Sequence, residues 1–256
     1  MSENNIDPQK CVIGKIHPND NMLAKLNGEP TKDSYVHYNS VGLSALGNIE
    51  EALEVANTKF ENIRYCLDLP SGYGRVLRVL QTKIDAPKIT ACDICEEAVL
   101  FCNSEFGAEP LISNADFKRI DFKKKYDLIW VGSLFTHLNQ RSFSVLLEVL
   151  YNVIENRGVL VFTTHGEHSI EKIGKNKNEN VYKVQFPEKE KLIQIFKNKG
   201  YYFTLYPHSK DLGISICSQE YVFDKTSKLF RKRFKLLMYK YRGWDRHQDV
   251  YAYQRL

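Results

Sequence analysis

Long apolar runs are missing from this 256-residue chain. None approaches the roughly 18 residues that a helical membrane span needs. The opening MSENNIDPQK has no basic stretch followed by an apolar core, so no secretory leader is expected and the cytoplasm is the expected compartment. Cysteine is sparse, six in all, and without a secretory context these read as reduced thiols rather than a disulfide framework. Cys92 and Cys95 form a Cys-x-x-Cys, but no second ligand pair at matching spacing accompanies them. No metal is therefore expected, and Cys92, closing an expected strand, reads as a small core residue.

What is present describes an ordinary globular chain: 43% apolar and 26% charged residues, enough for one domain with a small extension. The net charge of +5 is uneven, with eleven Lys and Arg against five Asp and Glu between 207 and 256. Arg231-Lys232-Arg233-Phe234-Lys235 concentrates the excess. That run suits either an anionic partner or, more simply, a solvated helix end or loop.

The organising stretch is Arg64 to Leu80, RYCLDLPSGYGRVLRVL. Tyr65-Cys66-Leu67 reads as a buried strand, Asp68 follows, then the small-residue turn Pro70-Ser71-Gly72-Tyr73-Gly74, then a helix with Val76, Leu77 and Leu80 on one face. Glycines there let backbone N–H groups approach a ligand, as in a mononucleotide cradle. A second strand, Lys88–Asp93, also ends in an acid, and Asp93 lies 19 residues past Gly74. That is the spacing at which a doubly wound sheet sets a carboxylate against ribose hydroxyls.

Further strands are expected at Pro110–Ile112, Tyr126–Val131 and Val159–Thr164, with helices between them and one from Gln140 to Val153. This alternation predicts an α/β fold: a doubly wound, Rossmann-like, mostly parallel seven-stranded sheet. Phe234–Tyr241 and Gln248–Tyr253 would add an antiparallel C-terminal β-hairpin. The expected organisation is an N-terminal arm at 1–34 and one domain at 35–256, with its core at 60–166 and a C-terminal lid and hairpin at 167–256. Tyr35, His37 and Tyr38 precede a helix carrying Val41, Leu46, Ile49 and Leu53, and Ser169–Gln185 reads as a polar lid or insertion. Tyr35, Tyr38 and Trp244 are candidate substrate contacts, although aromatic residues on an arm serve equally as anchors.

The series LDLPSGYGR, ITACDI, YDLIWVGSLFTHL and GVLVFTTHG resembles the class I S-adenosylmethionine-dependent methyltransferases. The ending GWDRHQDVYAYQR is similar to a bacterial subgroup associated with surface-glycan and secondary-metabolite gene sets. The resemblance implies S-adenosylmethionine as cofactor, with S-adenosylhomocysteine as product. It puts Asp68, Pro70, Gly72, Tyr73, Gly74 and Arg75 in the cofactor loop, with the acid on the methionine amino group. Asp93 would take the ribose and Ile94 the adenine face; Asp116 with Phe117 would lie at the adenine edge, although Asp116 is as good a turn cap. Gly132, Ser133 and Leu134 would line the methionine end.

Methyl transfer to an alcohol or amine needs an aligned acceptor and a base. His137 and His165 follow strands four and five at the ligand-binding edge, and His247 sits in the hairpin turn. Each is a candidate base or anchor, with ordinary structural roles as the alternative. Strand four runs into Gly-Ser-Leu rather than the Asn/Asp-Pro-Pro-aromatic of enzymes that methylate base amines. No cysteine lies there as a nucleophile, and no radical-type cysteine cluster is present. The expected acceptor is an O or N atom of a small molecule, a sugar or glycan precursor. A nucleic-acid methyltransferase using the basic tail, and a non-catalytic cofactor-binding module, remain as alternatives.

Overall fold

The computed structural model describes residues 13–256 apart from 24, 27, 176–179, 183, 186–188 and 208. Five strands, β1 Cys66–Asp68, β2 Ile89–Asp93, β3 Glu109–Ile112, β4 Tyr126–Val131 and β5 Ile154–Thr164, run parallel. β6 Tyr201–Leu205 and β7 Gly213–Cys217 form a separate antiparallel pair. The hairpin β8 Phe234–Trp244 and β9 Gln248–Arg255 completes a seven-stranded sheet in the order β8–β9–β5–β4–β1–β2–β3, with β9 antiparallel to β5. The fold class and the terminal hairpin are those expected from the sequence.

The helices are α1 Lys32–Val55, α2 Leu77–Leu80, α3 Glu96–Phe106, α4 Gln140–Val153, α5 Glu167–Lys175, α6 Lys189–Lys199 and α7 Gln219–Phe230. Both faces of the sheet are covered at its centre, so the inner strands β1, β2 and β4 are buried almost throughout rather than alternating. In β4, Leu128 and Trp130 pack with Ile49 and Leu53 of α1 and Leu77 and Leu80 of α2. Ile129 and Val131 pack on the other face with Phe143 and Leu146 of α4 and Val222 of α7. The strand order reverses direction at β1, which has β2 on one side and β4 on the other; in open α/β sheets the crevice beyond this switch point takes the ligand.

Several expectations change. Tyr35, His37 and Tyr38 lie inside α1 rather than before it, because Thr31 caps the helix in a reciprocal capping box with Ser34. The polar stretch after β5 is not irregular at its start. Ile170 and Ile173 share one helical face and pack against Leu192 and Phe196 of α6 and Ile214 and Ile216 of β7, which makes Glu167–Lys175 a helix. The remainder of the expected lid falls partly outside the described residues, as does 1–12 of the arm. α7, capped by Ser218, was not anticipated. No helix among the described residues is long and apolar enough to cross a membrane.

Candidate active site

β1 delivers Asp68 to the crevice, and the turn after it is shaped by two glycines at positive φ, Gly72 at 50° and Gly74 at 80°. A side chain at Gly74 would also strike the Phe106 ring, 2.8 Å from the built Cβ position. The Ser71 amide donates to the Cys92 carbonyl at 3.0 Å, tying the turn to β2. Beyond β2, Asp93 accepts from the Gly72 amide through one carboxylate oxygen at 2.8 Å and from the Cys95 amide through the other at 2.9 Å. The two turns therefore face one crevice. Each oxygen keeps a second lone pair, so the carboxylate can still accept from a vicinal diol. Ile94 follows with 64% of its surface exposed, an apolar face left open beside that acid. Cys92 is buried in β2, and Cys95 is exposed at the start of α3.

Asp68 is buried, and neither carboxylate oxygen has a hydrogen-bond partner among the described residues. Burial, then the charge of Asp93, push its pKa up to about 8; the Arg75 guanidinium and the Leu77 amide pull it the other way. Arg75 itself forms no hydrogen bond or ion pair with the described residues. It rests between the Tyr38 ring at 5.9 Å and the Trp244 ring at 5.7 Å, and burial lowers its pKa. A carboxylate and a guanidinium, neither in an ion pair among the described residues, thus act on one another at the same end of the sheet.

The end of β4 is held from two directions. Ser133, at φ 62°, donates its amide to Thr163 Oγ1 at 2.8 Å, and its hydroxyl accepts from Gln248 Nε2 at 3.0 Å. Thr163 in turn donates to Gln248 Oε1 at 2.6 Å. This closed ring joins β4, β5 and the hairpin. Gly132 is required beside it, since a Cβ there would lie 2.7 Å from Trp130 Nε1, and Leu134 follows, half-buried. Asp116 is exposed and caps a short turn by accepting from the Lys118 amide at 3.2 Å, while Phe117 is buried. Asp116 thus has the capping role weighed for it.

The histidines separate into two groups. His137 Nδ1 lies 3.2 Å from the Gly213 carbonyl and 2.8 Å from the Tyr206 hydroxyl. In the tautomer that donates Nδ1–H to the carbonyl, Nε2 is left as the basic atom; in the other, Nδ1 accepts from the Tyr206 hydroxyl. His165 is buried, with Nδ1 unpartnered and its ring stacked on Tyr182 at 4.7 Å. His247 stands edge-on to it at 5.3 Å. Burial holds all three below the usual imidazole range, His165 well below and His247 down to about 4. All three are therefore neutral at pH 7.

Two expected substrate contacts are not available as such. Tyr38 is fully buried and donates to Asp20 Oδ2 at 2.6 Å; Trp244 is buried against Trp130 and donates Nε1–H to the Val41 carbonyl at 3.0 Å. Their polar atoms are spent on anchoring the arm and the hairpin to the core. Tyr35 is half-buried beside Leu23 and Tyr38. The residues that sequence reasoning passed over are Arg78, Thr163, Tyr182, Tyr206 and Gln248, none of which belongs to a recognisable local pattern. Arg78 is fully buried and donates to the carbonyls of Ile13, Lys15, Tyr73 and Gly74 and to the Tyr38 hydroxyl. His17 of the arm stacks on Tyr73 at 4.5 Å, and the Tyr73 hydroxyl donates to Glu97.

Residues 66–158, which hold both acidic turns and the end of β4, match the family described as Methyltransferase domain. The match marks a methyltransferase domain within the chain, over about a third of its length. The malonyl-[acyl-carrier protein] O-methyltransferase of Calditerrivibrio nitroreducens is 26% identical over 139 residues, covering 54% of each chain, so this chain spans about half the length of that curated relative. Among solved structures, an S-adenosylmethionine-dependent methyltransferase from Clostridium acetobutylicum superimposes with a TM-score of 0.56 at 14% identity, covering 85% of this chain and 92% of its own. CalS10, an amino pentose methyltransferase of Micromonospora echinaspora solved with bound S-adenosylmethionine, gives 0.54 at 11% identity, covering 88% and 96%. These likenesses share the methyltransferase fold, in which the terminal hairpin flanks the parallel strands.

Proposed function

We propose that this chain transfers a methyl group from S-adenosylmethionine to an O or N atom of a small molecule, a sugar or glycan precursor. The observation that carries the reading is the buried Asp68 carboxylate, without a hydrogen-bond partner among the described residues and within electrostatic reach of the Arg75 guanidinium. Such a pair is costly without a ligand and complements the ammonium and carboxylate of an α-amino acid zwitterion. Asp93 would take the ribose hydroxyls and exposed Ile94 the adenine face. When bound, the cofactor supplies an electrophilic methyl carbon. The protein then has to present the acceptor in line and relieve it of a proton. His137, His165 and His247 are neutral at pH 7 and can accept that proton. The amino-pentose acceptor of CalS10 supports a sugar substrate.

The nucleic-acid alternative is disfavoured by strand direction. β8 is antiparallel to β9, and β9 to β5, so β8 runs parallel with the core strands. The basic run at its start therefore sits at the edge opposite the ligand crevice. Calorimetry with S-adenosylmethionine, followed by a radiolabelled-methyl screen over sugars, nucleotide-sugars and RNA, tests the proposal. Asp93→Ala is expected to weaken cofactor binding, and His165→Ala to leave it intact and slow turnover. The reverse pattern would overturn the assignment.

A further inference from the structure

Where β5 ends, the chain turns directly into α5, and the hairpin turn folds back over the same edge. His165, His168, Tyr182 and His247 come together there: Tyr182 and His247 are 5.6 Å apart between ring centres, and His168 and His247 are 5.7 Å apart. Two cations flank this group. Lys172 Nζ lies 5.2 Å from the centre of the Tyr182 ring, and both Lys172 and Arg242 act on His247 to favour its neutral form. Neither forms an ion pair with the described residues. Arg242 spends only its Nε, on the Arg246 carbonyl at 2.7 Å.

The acids close by are already answered or turned elsewhere. Glu171 pairs with Lys175 at 3.6 Å, and Asp249 accepts from the Arg242 amide at 2.8 Å and the Tyr239 hydroxyl at 3.1 Å. Glu167 bears on Asp249 and Tyr239. Behind the group, His165 Nδ1 is buried without a partner. An aromatic wall and two exposed cations without ion-pair partners among the described residues thus border the end of β5, with the imidazole nitrogen behind them.

We propose, granted the methyl-transfer reading above, that the acceptor is anionic, its phosphate or carboxylate oxygens lying between Lys172 and Arg242 and its body against Tyr182 and His247. Both cations are exposed, so a neutral sugar leaves them to water, whereas an oxyanion gives each a charge-assisted hydrogen bond. Specificity would rest on that pairing, because an analogue lacking the anion forgoes both charge-assisted bonds.

Titrating the full chain calorimetrically with inorganic pyrophosphate, and separately with citrate, reads the site without knowing the substrate. One of the two is expected to bind, pyrophosphate marking a phosphorylated acceptor and citrate a carboxylate. Lys172→Gln and Arg242→Gln should each weaken that binding about tenfold, the size of one lost charge-assisted bond. Lys172→Arg should preserve it, which controls for damage to the fold. Failure of both anions to bind at about 10 mM, or binding indifferent to both Gln variants, overturns the proposal. S-adenosylmethionine is titrated in the same series. A chain that binds the cofactor but neither anion refutes this inference alone, and one that binds an anion but no cofactor refutes the methyl-transfer reading instead.

Discussion

Asp68 is where a single residue decides most. Its ordinary pKa of 3.8 rises to about 8 in the fold, so between those values the native state holds a proton that the unfolded chain releases. Stability from this group is therefore present at low pH and declines as pH climbs from about 4 to 8. An ammonium beside the carboxylate stabilises the ionised form, so cofactor binding near pH 7 should expel a proton. Titrations in buffers of different ionisation enthalpy should give enthalpies that differ in proportion; identical values would refute the linkage. Asp68→Asn should raise the melting temperature at pH 9 while weakening cofactor affinity tenfold or more. Neutral histidines carry a parallel expectation. With His247 at about 4 and the other two depressed, kcat should hold from pH 8 to 6. A loss of activity centred near 6.5 would show that an unperturbed imidazole is the base.

The acids and glycines of the cradle were legible because their chemistry needs particular residue types at fixed spacing. Arg78 was not. In the sequence it is one basic residue in RVLRVL, indistinguishable from a solvated helix position. Only the fold reveals that its guanidinium satisfies four carbonyls and a hydroxyl.

Among the elements, the arm from Ile13 to Leu23 is fastened to the turn after β1 through that guanidinium, which holds the carbonyls of Ile13, Lys15, Tyr73 and Gly74. Asn19 bonded to Glu97 and His17 stacked on Tyr73 add to it. Arg78→Ala should cost roughly 3 kcal/mol in denaturant unfolding, the scale of several buried acceptors left unmatched. It should also speed proteolysis within 13–23; an unchanged cleavage rate would mean the arm is held by other contacts. The ring of Ser133, Thr163 and Gln248 gives a second test at this scale. Thr163→Val removes two of its bonds, and should lower kcat several-fold while leaving the sheet assembled by circular dichroism. Elements buried on both faces, such as β4, were readable as continuous apolar runs. α5 escaped notice because Ile170 and Ile173 are its only large apolar anchors in a Lys- and Glu-rich segment.

At the scale of the molecule, strand direction separates the charges. An eleven-residue β8 spans about 35 Å, so Arg231–Arg233 and the His247 turn lie at opposite ends of the sheet. Replacing Arg231, Lys232 and Arg233 together with Gln should leave turnover unchanged; a large loss would restore a nucleic-acid substrate. The sequence could place a basic run on a loop, but only strand pairing, a non-local property, says which end of the sheet that loop occupies.

The contact between Thr163 and Gln248 joins positions 85 residues apart. β5 is thus an interior strand whose second neighbour comes late along the chain. During refolding the half holding the two acidic turns has its partners close at hand, whereas the open margin of β5 waits for a distant segment to be recruited. Until then Val159 to Phe162 offer a bare, sticky margin to any other unfolded copy. Recovery of the protein from denaturant should accordingly improve on dilution, with losses growing steeply as concentration rises.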